Sequence, residues 1–203
     1  MPTDAQAVLD FWFGAADDPG HTQTRPQWFA KDAAFDAQIA QRFGALIERA
    51  LVGGIDAWIA PPPPPPPSPL APLPALARVI VLDQFTRNAF RGQARAFAGD
   101  AMALQTARAL VASGLDRTLS GVQRQFAYLP FEHAEDLAHQ RTAVQLYEQL
   151  GRDEPALAML TRWALRHHDI VARFGRFPHR NALLGRASSA EEIEFLKLPG
   201  SAF

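Results

Sequence analysis

Arginine and histidine side chains are concentrated between residues 162 and 186. That segment holds six arginines and three histidines against one acidic residue, Asp169. Guanidinium groups bind carboxylates and phosphates through paired hydrogen bonds, and an imidazole gains or loses a proton near neutral pH. The segment therefore predicts either a binding site for an anion or a site of acid–base chemistry.

Residues 173–186, RFGRFPHRNALLGR, are the densest part of this segment. The arginines alternate with Phe174, Phe177 and Pro178, which favours a folded loop whose guanidinium groups stack on rings and pair with acceptors. A flexible basic tail would lack these aromatic residues. The glycines permit tight turns, and Asn181 can form local hydrogen bonds.

A second polar motif, LDQFTRNAFR, covers residues 82–91. It places Asp83, Arg87 and Arg91 four residues apart, and therefore on one face of a helix. The motif follows the apolar run VIVL, so Asp83 is expected to be buried and to require a cationic partner. Arg87 is its local partner in sequence.

A third motif, LPFEHAED, covers residues 129–136. It predicts the first turn of a helix that contains Glu132, His133, Glu135 and Asp136. Carboxylates at a helix N-terminus ordinarily complement the helix dipole, and this reading competes with a catalytic one. The spacing of His133 and Glu135 differs from the HExxH pattern that places two zinc ligands on one helical face. No metal site and no cofactor are therefore predicted.

His167 lies within the apolar stripe of a predicted helix. Leu160, Trp163, Ile170, Val171 and Phe174 define the stripe by their spacing, so His167 is expected to point inward. His168 lies about 100° further round the helix and is expected to be exposed. His167 is either a hydrogen-bonded core histidine or an acid–base group, and the sequence leaves both open.

Composition restricts the classes of protein that the chain can represent. The chain has 203 residues, 48% of them hydrophobic, which is typical of a single globular domain. Its formal net charge of −1 gives no overall attraction to nucleic acid or to an anionic membrane. The absence of cysteine excludes disulfides and thiolate chemistry. We expect a cytoplasmic protein, because neither a secretory leader nor a membrane span is recognisable.

Helical periodicity and capping residues recur along the chain, which predicts an all-α fold of antiparallel helical hairpins. The predicted caps are a Thr3–Gln6 capping box, Asp32, Asp153 and a Ser189–Glu192 capping box. The predicted helices cover residues 4–13, 33–52, 74–90, 99–112, 119–129, 131–150 and 154–174, with a short helix from 190 to 198.

A proline-rich segment, PPPPPPPSPLAPLP, interrupts the chain at residues 61–74. Proline lacks the backbone N–H that a helix needs, so the segment predicts a polyproline II connector. The alternative is that the PxxP pattern of residues 69–72 binds a proline-recognition module.

The three polar motifs, in this order, resemble the bacterial family known as domain of unknown function 924. VLDFWFG near the N-terminus, WFAKDAAFD around residue 32 and SSAEEIEFL near the end resemble it too. The resemblance implies a tetratricopeptide-like all-α fold and no agreed activity. The proline run is a departure, since the family usually has a short loop there. No 34-residue repeat is present, so the likeness concerns helical hairpins.

Three functional hypotheses follow from the motifs. In the first, a cleft binds an anionic small molecule or a peptide carboxylate, because the motifs offer only Asp83 and Glu135 as acidic partners for at least four arginines. In the second, an enzyme uses His133, Glu135 and His167 as acid–base groups or metal ligands. In the third, these residues pair only with one another. Nucleic acid is not favoured as a partner, and the oligomeric state is not predicted. The residues predicted to bind the ligand are Asp83, Arg87, Arg91, Arg176, His179, Arg180 and Asn181.

Overall fold

The computed structural model of the chain describes residues 4–21, 23–59 and 71–202. Within these ranges the secondary structure is helical, without strands, which confirms the predicted all-α fold. None of the helices in the described part is long and apolar enough to span a membrane. The helices are α1 (Asp4–Phe13), α2 (Ala33–Leu51), α3 (Pro72–Val79), α4 (Thr86–Ala89), α5 (Asp100–Ala112), α6 (Gly121–Glu132), α7 (Leu137–Asp153), α8 (Leu160–Phe174) and α9 (Ala190–Leu196).

The described residues group into two compact units. Unit 1 comprises those of Met1–Arg91 and Ala96–Pro130, and unit 2 comprises those of Gly92–Arg95 and Phe131–Phe203. The single domain expected from the chain length stays a prediction.

Aromatic rings form the core of unit 1. Trp12 of α1 lies 5.4 Å from Phe126 of α6 and 5.9 Å from Trp28, measured between ring centroids. The α2 residues Phe35, Ile39, Phe43 and Ile47 are buried at four-residue intervals. This spacing is the predicted apolar stripe. Asp32 caps α2, as predicted, by accepting hydrogen bonds from the backbone N–H groups of residues 34 and 35.

The segment from α3 to α4 is helical without interruption, but residues Ile80–Phe85 adopt a π-helix. The predicted helix over 74–90 is therefore present, although it begins at Pro72 rather than Pro74. Prolines are tolerated in the first turn, because the N–H groups there have no intrahelical acceptor. The prediction of polyproline II was wrong for residues 72–74, and residues 61–70 lie outside the described part.

Unit 2 is built on α7 and α8, which pack against each other as a hairpin. Gly175 ends α8 with a φ of +70°, a left-handed conformation that glycine adopts without strain. The loop that follows contains a single 3-10 turn, Pro178–Arg180, before α9 begins. Ser189 and Glu192 form the predicted capping box of α9.

The predicted boundaries around α6, α7 and the start of α8 were wrong. Helix α6 continues through Pro130 to Glu132, and α7 begins only after the N-cap residue Asp136. Pro130 lies in the last turn of α6, where its missing N–H removes one hydrogen bond without ending the helix. Asp153 is the last residue of α7 rather than the cap of α8, and α8 begins at Leu160 rather than at residue 154, because a separate 3-10 turn covers Pro155–Leu157. Thr3, the first residue of the predicted N-terminal capping box, lies outside the described residues.

Candidate functional site

Unit 2 gathers three histidines around a buried phenylalanine. Ring centroids are 6.2 Å apart for His133 and His167, 5.6 Å for His167 and Phe177, and 5.7 Å for Phe177 and His179. His133 follows α6 directly, His167 lies in α8, and His179 lies in the Pro178–Arg180 turn. We call these three imidazoles, together with Arg180, the histidine cluster.

One ring nitrogen of His167 lies within hydrogen-bond distance of two oxygen atoms. Its Nδ1 lies 2.8 Å from Glu132 Oε1 and 2.9 Å from the Trp163 carbonyl oxygen. A carbonyl oxygen only accepts hydrogen bonds, so the geometry assigns the proton to Nδ1, which donates. The predicted burial of His167 is confirmed, since 6% of the residue is exposed.

Glu132 was not among the residues that sequence reasoning assigned to a site. The sequence placed it in the first turn of a helix as a complement to the dipole, whereas it lies at the C-terminal end of α6 and is buried. Its carboxylate is satisfied by His167. No local pattern pairs Glu132 with His167, because the two residues are distant in the sequence.

His179 is half-buried in the loop between α8 and α9. Burial and, to a lesser degree, the positive charge of Arg180 and the nearby His167 and His133 together lower the pKa of His179 to about 4, while Glu135 opposes them. The imidazole of His179 is therefore neutral at pH 7.

Arg180 connects the loop to the end of α6. It is buried, its Nη2 donates a hydrogen bond of 3.0 Å to the His133 carbonyl oxygen, and its guanidinium carbon lies 4.7 Å from the centroid of Phe177. Cation–π contacts of this kind are strengthened when both groups are removed from water. Arg180 thus fixes His133 and Phe177 relative to the turn that carries His179.

Glu135 anchors the same loop through a salt bridge. Its carboxylate accepts hydrogen bonds from Arg186 Nη1 at 2.5 Å and Nη2 at 2.8 Å, and from the Phe177 backbone N–H at 2.8 Å. Burial opposes ionisation of Glu135, but the Arg186 and Phe177 hydrogen bonds outweigh it and hold the pKa of the carboxyl below its ordinary value. Glu135 is consequently an ionised partner of Arg186.

Arg176 and Asn181 are engaged with the start of α9. Arg176 donates to both carboxylate oxygens of Glu192, at 2.7 and 2.8 Å. These hydrogen bonds and that from the Ser189 backbone lower the pKa of Glu192 to about 2. Asn181 donates to Ser188 Oγ and accepts from Arg186 Nε, each at 3.0 Å. Both residues therefore brace the loop.

The remaining predicted site residues lie in unit 1. Asp83 is fully buried in the π-helix and pairs with Arg87 at 3.0 Å. Arg87 also binds Asp100 through two hydrogen bonds, of 2.8 and 3.1 Å. Arg91 binds Asp36 in the same bidentate manner, at 2.6 and 2.8 Å. Each of the two arginines is thus matched by a carboxylate within unit 1.

The expected excess of cationic donors over carboxylates was wrong. Three carboxylates outside the motifs, Asp36, Asp100 and Glu192, complete pairs that local spacing did not reveal. The two predicted groups of ligand-binding residues lie in different units, and their union in one cleft stays a prediction. In the described part of the chain, no group of three or more histidine or acidic side chains has the arrangement of a metal site.

Comparisons with known proteins agree with the fold. A profile of the family described as bacterial protein of unknown function, DUF924, matches residues 8–200. The chain is similar to the solved structure of a protein of unknown function, ATU0120, from Agrobacterium tumefaciens. The two are 38% identical with a TM-score of 0.78, over 95% of this chain and 96% of that one. No functionally curated protein matches the chain.

Proposed function

Because the chain belongs to the bacterial DUF924 family, whose description names no activity, we propose a function from the histidine cluster itself: it binds a small molecule that carries a carboxylate or phosphate group. The observation that supports this proposal is that His167, His179 and Arg180 all lie against Phe177, with His133 beside His167. A cytoplasmic location, expected from the sequence, remains part of the proposal.

The exposure of the imidazoles favours a site over a purely structural network. His133 and His179 are half-buried, whereas the groups that support them, His167 and Arg180, are buried. A ligand can therefore approach the former two side chains while the latter two hold them in place. Imidazole N–H groups donate hydrogen bonds to carboxylate and phosphate oxygens.

The salt bridges of the loop have a positioning role in this proposal. Arg186–Glu135 and Arg176–Glu192 fix the backbone on both sides of Phe177 and the turn that carries His179. Arg87 and Arg91 are engaged with carboxylates of unit 1 and are not assigned to this ligand. The ligand-contacting residues are thus His133 and His179, and Arg180 supports them from the buried side.

Thermal unfolding in the presence of inorganic phosphate, sulfate, succinate and a short acidic peptide tests the proposal. A probe present at about 100 times its dissociation constant stabilises the folded chain by about 2.7 kcal/mol, which raises the melting temperature by several degrees. We expect His133→Gln and His179→Gln to diminish that shift. His168→Gln is the matched control, because His168 is also half-buried but contacts Asp169. An unmoved melting curve with all four probes contradicts the proposal.

The contact between Glu132 and His167 favours a second candidate function, hydrolysis. A carboxylate on Nδ1 orients an imidazole so that Nε2 can accept a proton from water, and the resulting hydroxide can attack an ester carbon. The proton then passes from Nε2 to the leaving alcohol. Of the catalytic candidates in the sequence, His167 fits this role, whereas Glu135 is committed to Arg186.

Hydrolysis of p-nitrophenyl acetate, measured from pH 5 to pH 9, tests this second function. We expect a rate above that of the buffer, lost in His167→Gln and reduced in Glu132→Gln with a displaced pH profile. The control His168→Gln should retain the wild-type rate. Rates equal to the buffer at every pH would exclude this ester chemistry.

A further inference from the structure

The formal charges near the histidine cluster balance. Arg180 and Arg186 each carry a positive charge, and Glu132 and Glu135 each carry a negative one. Arg186 is in bidentate contact with Glu135, and Glu135 also lies within the electrostatic reach of Arg180. The charges of Arg180 and Arg186 are therefore already matched by those of the two carboxylates. An anion that enters this environment adds a negative charge in excess of that balance.

The imidazoles are the groups that can supply the missing positive charge. Histidine is the side chain whose ordinary pKa allows it to gain a proton between pH 5 and 8. His167 and its Nδ1–H are occupied by Glu132 and the Trp163 carbonyl. The His179 ring lies 5.7 Å from that of Phe177, measured between centroids, in the half-buried turn.

The groups that face His179 come from three parts of unit 2. Arg180 lies in its own turn, His167 in α8, and His133 and Glu135 in the segment between α6 and α7. The first three disfavour a charge on His179 and the last favours it. An anion in hydrogen-bond contact acts in the same direction as Glu135 and opposes the effect of Arg180.

We propose that an anion binds at the histidine cluster together with a proton, which His179 takes up, so that affinity for the anion increases as the pH falls. This inference rests on the proposed function and specifies how the same site is regulated. Because His179 is neutral at pH 7 in the protein without the anion, the complex with the anion holds a proton that the protein alone lacks. Affinity should then rise by up to tenfold for each pH unit below the pKa of His179 in the complex.

Isothermal titration calorimetry with sulfate tests the inference, since sulfate itself does not titrate between pH 5.5 and pH 8. Titrations at one pH are repeated in buffers of different ionisation enthalpy. The slope of the observed enthalpy against the buffer's ionisation enthalpy gives the number of protons taken up. We expect a fractional uptake that approaches one proton, and a dissociation constant that falls as the pH falls.

His179→Gln should abolish the proton uptake and flatten the pH dependence, whereas His168→Gln should retain both. Circular dichroism of the variants establishes that they are folded. An NMR titration of the wild-type His179 ring, with and without sulfate, gives a second readout that requires no substitution. We expect sulfate to raise the pH at which this ring titrates.

The outcomes separate the two proposals. Sulfate binding without a buffer-dependent enthalpy, or with an uptake that persists in His179→Gln, would overturn the inference and leave anion binding intact. A complete absence of sulfate binding from pH 5.5 to pH 8 would overturn the inference, whereas the proposed function is overturned only when phosphate, succinate and the acidic peptide also leave the melting curve unmoved.

Discussion

Replacement of His179 by glutamine should make the stability of the protein less dependent on pH between 7 and 5. The pKa of His179 lies at about 4 in the folded chain, below the ordinary value of 6.5 that the unfolded chain restores. Well above pH 6.5 neither the folded nor the unfolded state binds the proton, so His179 does not lower the free energy of unfolding. As the pH falls towards 4, the unfolded state binds a proton that the folded state excludes, and stability is lost.

The size of the effect follows from these two pKa values. Proton linkage gives a loss of about 2 kcal/mol of unfolding free energy between pH 7 and pH 5 from this one residue. The carboxyl groups that are stabilised in the folded state, Glu135 and Glu192, lose their contribution only at lower pH, because their pKa values are depressed from an ordinary value of 4.5. Between pH 7 and pH 5 the change in unfolding free energy therefore comes from histidine rather than from these two carboxyl groups.

Urea denaturation followed by circular dichroism at half-unit steps of pH measures this effect. We expect the wild-type free energy of unfolding to fall by about 2 kcal/mol more than that of His179→Gln over this interval. His168→Gln, which leaves His179 in place, should retain the wild-type decline. If the curves of His179→Gln and the wild type run parallel from pH 7 to pH 5, the burial and charge argument for His179 is refuted.

Three further predictions concern the supports of the site and the proline run. His167→Ala should lower the free energy of unfolding by about 2–4 kcal/mol, since it leaves a buried carboxylate without its hydrogen-bond donor, whereas His168→Ala should cost less than about 1 kcal/mol in the same chemical denaturation. Glu135→Gln should cost about 1–2 kcal/mol against at most about 0.5 kcal/mol for the exposed control Glu194→Gln, and the difference from wild type should vanish as the pH falls through the depressed pKa of Glu135. A short Gly/Ser linker in place of residues 61–69 should leave the melting temperature within a few degrees, because loop length enters stability only logarithmically; loss of cooperative melting would contradict this.

The helices could be predicted from the sequence because their signals are local. Asp32, Ser189 and Gly175 mark helix ends through contacts within a few residues, and each does so in the structure. The apolar periodicity of α8 placed His167 inside correctly, yet Trp163 of the same stripe is 44% exposed and His168 is only half-buried. Periodicity fixes the face of a helix, whereas the depth of each side chain depends on what packs against it.

The partners of the charged residues could not be predicted, because they are distant in sequence. Arg91 binds Asp36, 55 residues away, and Arg186 binds Glu135, 51 residues away. A count of charges within a motif treats such arginines as unsatisfied. Glu135 was correctly noted as an available acid, but its partner was Arg186 rather than an arginine of the predicted ligand set.

The pairing of the arginines changes what the basic segment means for function. An unsatisfied guanidinium would attract an anion at any pH, since its charge is permanent. A guanidinium in a bidentate salt bridge instead fixes geometry, as Arg186 does for the loop that carries Phe177 and His179. The imidazoles, whose charge depends on pH, are then the groups that can gain additional positive charge. Under the proposal, anion binding at the histidine cluster therefore depends on pH, because the histidines and not the more numerous arginines provide the additional positive charge.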